Sequence, residues 1–160
     1  MILILGYGNP MRGDDALGQI AVEFLAERFG EHDGVHVRAV HQLTPDLSEM
    51  LAGYESAVLI DARHAAPAGQ VFVEEVRAAE RLPSGAFSHY VTPGELLVVT
   101  ERLYGKRPCV YLAGITATEF EVGEPLSAAV REALSVLYET IEALVMPDFG
   151  FPMWGSLKGL

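Results

Sequence analysis

Apolar and polar positions alternate along this chain in two periods, and the switches between them mark out the elements. Ile2 to Leu5 is a continuous apolar run closed by Gly6-Tyr7-Gly8-Asn9-Pro10, the pattern of a strand buried on both faces that ends in a tight turn. Ala16, Leu17, Ile20, Ala21, Phe24 and Leu25 then recur at helical spacing, predicting a helix opened by Asp14-Asp15 and ending near Gly30. Val35 to Val40 alternates as a second strand. Thr44 is placed as an N-cap with Pro45 at the first helical position of a short helix to about Ala52. Ser56 to Ala62 is again an apolar strand, broken only by Asp61 near its end.

Gln70 to Val76 alternates weakly and predicts an edge strand. Arg77 to Ser88 has no period and reads as a loop long enough to be functional. Pro93 opens a helix to about Tyr104, closed by Gly105; Pro108 to Ile115 is the last strand; and Ser127 to Val145 carries apolar residues at helical spacing. Strands alternating with helices at these lengths imply an α/β fold, a mostly parallel sheet with helices on both faces. Residues 1–146 are expected to form a single domain, with 147–160 an irregular tail rich in aromatics, Gly and Pro.

Charge narrows the partners. Against 22 acids stand 11 Lys and Arg, a net charge of -11 that repels phosphate backbones and anionic membranes, so neither nucleic acid nor a membrane is an expected partner. Lacking a basic leader and any apolar run near the ~20 residues that span a bilayer, the chain is expected to be cytoplasmic. The single cysteine, Cys109, cannot form an internal disulfide and reads as a small apolar strand residue rather than a nucleophile.

The chemistry concentrates at strand ends, where parallel sheets bind ligands. A dinucleotide fingerprint finds only weak support, because the third glycine of G-x-G-x-x-G would fall at Met11 and strand two does not end in the acid that binds a ribose hydroxyl. Asp14 is expected mainly to cap the first helix, leaving Asp15 ionised in its first turn. Asp61 ends a buried strand at the same sheet edge, where a desolvated ion needs a cation or donors. Among five histidines, His32 and His36 read as solvated, whereas His41, His64 and His89 could each approach that edge. Two carboxylates and an imidazole would make a divalent site suited to nickel or zinc.

G-Y-G-N-P-M-R-G-D-D-A-L-G at the start, V-L-I-D-A around Asp61 and S-H-Y-V-T-P-G-E-L-L around His89 together resemble the hydrogenase maturation endopeptidases, in order over roughly residues 1 to 145. The resemblance implies a three-layer α/β/α sandwich with a five-stranded sheet. It implies a cytoplasmic protease that removes a C-terminal extension from the large-subunit precursor of a [NiFe] hydrogenase after nickel insertion. It further implies Asp15, Asp61 and His89 as the catalytic, metal-contacting set, with nickel carried by the substrate rather than resident. Two departures stand out. Asp14-Asp15 replaces a common Asp-Glu, and Val40-His41-Gln42-Leu43-Thr44 replaces a common Gly-Gly-Thr, a variant that resembles proteases of soluble, cofactor-linked hydrogenases. The alternatives are a non-catalytic nickel-binding or precursor-chaperone module, and a peptidyl-tRNA hydrolase, which shares the Gly-x-Gly-Asn-Pro opening but has a histidine where Asp15 stands.

Overall fold

The computed structural model describes residues 1–30, 32–82 and 89–146. In chain order these give β1 (Ile2–Tyr7), a 3-10 turn (Gly13–Ala16), α1 (Leu17–Phe29), β2 (Val35–Val40), α2 (Leu47–Ala52), β3 (Ser56–His64), β4 (Val71–Glu75), α3 (Pro93–Tyr104), β5 (Cys109–Ala117) and α4 (Ala128–Val145). The sheet order is β2-β1-β3-β5-β4. All neighbours run parallel except β4, which lies antiparallel on β5 at the edge. The fold is therefore the expected three-layer sandwich with one antiparallel edge strand. The 147–160 tail, and Pro83–Ser88 of the long loop, lie outside the described residues.

Side chains of a strand point alternately to its two faces, and the core divides accordingly. Ile4, Val58, Ile60, Ala113 and Ile115 pack with α1 and α4 on one face, while Leu3, Leu5, Ala57, Leu59 and Val110 pack with α2 and α3 on the other. Chain direction reverses across β1, since α1 leads out to β2 on one face and α2 returns to β3 on the other. The crevice between the carboxyl ends of β1 and β3 is thus the topological switch point.

Close packing beside that crevice depends on two glycines. A Cβ on Gly18 would lie 2.5 Å from the Tyr7 amide nitrogen and 2.8 Å from the Ile60 carbonyl oxygen, and one on Gly6 would overlap the Gly18 carbonyl. The start of α1 therefore rests directly on the backbone of β1 and β3.

Several helix ends behave as the sequence predicts. Thr92 forms a full capping box with Glu95, Pro93 is the first residue of α3, and Gly105 closes it at φ 63°. α2 differs, because Thr44 makes no side-chain cap; Thr44-Pro45-Asp46 is a turn whose carbonyls accept from Leu47, Ser48 and Glu49, and the helix begins at Leu47.

Candidate functional site

Asp61 and Tyr7 meet because of strand register. Gly6 pairs with Ile60, so the next residue of each strand, Tyr7 and Asp61, falls on the α2/α3 face at the sheet's carboxyl edge. The Asp61 carboxyl is raised to about 7, chiefly because burial disfavours its charge; a hydrogen bond from Tyr7 opposes the shift and the charge of Asp15 adds to it. Burial, and then Asp61 itself, push the Tyr7 hydroxyl above the usual phenol value, so that it stays a donor.

Asp15 reaches the same crevice from the turn after β1. Its Oδ2 accepts the Asn9 amide at 2.8 Å, and Gly8, at φ 135°, allows the Asp15 carbonyl an approach that a Cβ would block. Two further bonds hold this rim. The Gly8 amide donates to the His41 carbonyl at 3.2 Å, and Gln19 Nε2 donates to the carbonyls of Gly8 at 3.3 Å and Val40 at 2.7 Å. Gln19 in this way ties the ends of β1 and β2 together.

A pocket of about 540 Å³ opens here, lined among others by Tyr7, Arg12, Asp15, His41, Asp61 and Tyr90. Asp15 and Asp61 are therefore brought together as expected. His89 is exposed and is not among the lining residues, although Tyr90 and Val91 beside it are, and the Val91 amide is bonded to the Leu43 carbonyl of the rim. The imidazole that does line the pocket is His41, immediately after β2. Among the described residues no group of three His, Cys, Asp or Glu side chains is gathered closely enough to hold a metal ion by itself. The arrangement offers two carboxylates, one partly desolvated, with room for a ligand that brings its own donors.

Other expectations are corrected. Asp14 does not cap α1, which has no side-chain cap; it is fully buried and accepts the Ser127 amide at 2.7 Å and the Ser127 hydroxyl at 2.9 Å, so that it secures the start of α4 instead. His64, at the end of β3, stands edge-on to Phe120 and outside the pocket lining. His36 is half-buried with Nδ1 2.8 Å from the Tyr54 hydroxyl, which departs from a purely solvated role. Cys109 is half-buried at the start of β5, and burial raises its thiol pKa, which disfavours the thiolate.

Tyr7, Arg12 and Gln19 are site residues that the sequence reading passed over. Tyr7 had a usable signal, since it continues the Leu3, Leu5 alternation into the residue next to Asp61's strand. Gln19 had none, because its two acceptors are backbone carbonyls at distant positions.

No family profile and no curated protein matches the chain. Solved structures do. The [NiFe] hydrogenase maturation protease HybD from Thermococcus kodakarensis is 28% identical, with 89% of this chain and 97% of that one covered and a TM-score of 0.68. The hydrogenase maturating endopeptidase HybD from E. coli is 23% identical over 93% of each chain, with a TM-score of 0.73. The maturation protease HycI from T. kodakarensis is 21% identical over 90% of this chain and 91% of that one, with a TM-score of 0.69.

Proposed function

We propose that this chain is a hydrogenase maturation endopeptidase, a hydrolase that removes the C-terminal extension of a [NiFe] hydrogenase large-subunit precursor once nickel is in place, a reading supported by its likeness to the solved maturation proteases. The observation that carries the proposal is the convergence of Asp15 and Asp61 on one pocket at the switch point of the sheet. In this reading the substrate delivers nickel already held by its own cysteines, and Asp15 and Asp61 supply oxygen ligands from the protein side. His89 completes the set from the segment that leads into α3, which would have to swing its imidazole towards the pocket as the precursor docks. His41 already faces the pocket and is the second imidazole within reach.

For the cleavage, a rim carboxylate accepts a proton from a water molecule as the water oxygen bonds to the scissile carbonyl carbon. The same proton passes to the departing amine as the C–N bond breaks, leaving a new carboxylate on the large subunit and a free peptide. Tyr7 holds Asp61 by its hydroxyl, and Gln19 fixes the backbone at Gly8, which packs on the Asp15 carbonyl, and at Val40, which leads into His41. Reaction takes place where the protein is made, in the cytoplasm.

Purified protein is expected to shorten a nickel-loaded precursor and to leave a nickel-free one intact, read by mass spectrometry. Stable binding with no loss of mass would favour the alternative, a precursor chaperone. Asp61→Asn and His89→Ala are each expected to abolish shortening while circular dichroism stays unchanged; full activity in either would remove that residue from the set.

A further inference from the structure

Beside the pocket, two loops distant in sequence are stitched into one rigid surface. Asp14 N donates to the Glu119 carbonyl at 2.8 Å, Gly13 N to the Glu124 carbonyl at 3.1 Å, and Gly123 N to the Met11 carbonyl at 2.8 Å. The buried Asp14–Ser127 pair fixes the far end of the second loop to α4. A surface held in this way loses little freedom when something binds to it.

That surface presents what a folded monomer ordinarily hides. Met11 is 66% exposed and Val122 is 72% exposed, on the two segments joined by the Gly123–Met11 bond. Glu119, Glu121 and Glu124, all exposed, lie on the same segment as Val122. Met11 lies between Asn9 and Arg12, both of which line the pocket, so the surface is continuous with its mouth. Arg12 lines the pocket, whereas the segment 119–124 contributes three exposed carboxylates, Glu119, Glu121 and Glu124.

We propose that this clasp, Met11 and Val122 together with Glu119, Glu121 and Glu124 of the same loop as Val122, is the docking surface for a basic segment of the protein whose C-terminal extension is cut. The apolar pair would anchor a nonpolar residue, and the glutamates would pair with flanking lysines or arginines. Charge complementarity selects this occupant: a chain of net charge -11 repels a second copy of itself and any acidic partner at such a surface. The inference rests on the proposed processing activity for the identity of the partner, but not for the existence of the surface.

Two variants test it, Met11→Ser/Val122→Ser and Glu119→Gln/Glu121→Gln/Glu124→Gln, none of which touches the backbone bonds of the clasp. Each is measured for affinity to nickel-loaded precursor and for the rate of shortening at saturating precursor. Both are expected to bind at least tenfold more weakly, with the saturated rate within twofold of the unaltered protein. Raising salt from 50 to 500 mM should weaken binding by the unaltered protein, and do so much less in the triple glutamine variant. Unchanged affinity in both variants overturns the proposal, as does a dimer of the unaltered protein that the Met11/Val122 variant converts to monomer. If the unaltered protein binds the precursor without shortening it, the processing activity fails while the binding comparison still decides the docking surface.

Discussion

A single carboxyl, Asp61, sets protein stability against function. Its pKa is raised to about 7 by burial, whereas an unfolded chain would ionise it near 3.8. The unfolded state therefore releases this proton first. The stability that the protonated form contributes is full below pH ~4 and is lost as pH rises towards 7, by up to about 4 kcal/mol. In metal-free protein, Asp61→Asn is expected to melt at higher temperature than the unaltered chain at pH 8, and the difference should shrink by pH 4.5. Parallel melting curves across that range would show that Asp61 does not carry the buried charge. Asp14 is the opposite case, a buried carboxyl whose bonds are all to one partner. Asp14→Ala leaves the Ser127 amide and hydroxyl without their acceptor and is expected to lower stability by about 2–3 kcal/mol, read from the urea midpoint. The sequence showed that Asp14 and Asp15 divide their roles. It could not show that Asp14 serves a helix 113 residues away, because capping patterns are local and this one is not.

Among the elements, those set by short-range chemistry were read most accurately. β2 and α3 lie where the pattern placed them, because alternation, Pro93, the Thr92–Glu95 box and Gly105 all act within a few residues. The start of α1 was blurred, since the turn at Gly13–Ala16 is 3-10 and its carboxylates accept from Ser127 and Asn9 rather than from the helix they precede. Asp61 does not end its strand, because β3 runs on to His64 against β5; it lies at the crevice because β1 stops pairing at Ile60, and its partner Tyr7 required that register of β1 on β3, which no single segment encodes. His89 precedes an element that was read well, yet its imidazole stands outside the pocket lining in this state; sequence fixes its place along the chain and not the direction it faces. The contact between α1 and the sheet yields its own test. Gly18→Ala forces a methyl against the Tyr7 and Ile60 backbone and is expected to destabilise by about 3 kcal/mol. Gly53→Ala, at φ -79° with its nearest neighbour 3.3 Å away, should alter the midpoint little.

At the scale of the molecule, sheet order does what local chemistry cannot, bringing residues from the ends of β1, β2 and β3 to one crevice. No described helix is long and apolar enough to cross a membrane. The Asp14–Ser127 link also has a consequence in time. A ribosome finishes the Gly-Tyr-Gly-Asn-Pro loop long before the segment 119–127 whose hydrogen bonds tie Asp14, Gly13 and Met11 into place. Strands β1 and β3 can pair while translation continues, whereas the clasp beside the pocket must wait for residues 119–127 to emerge. The segment around Asp14 is thus made long before it is held in place, and a nascent chain stalled before residue 119 would carry Asp15 and Asp61 without the support of that second loop.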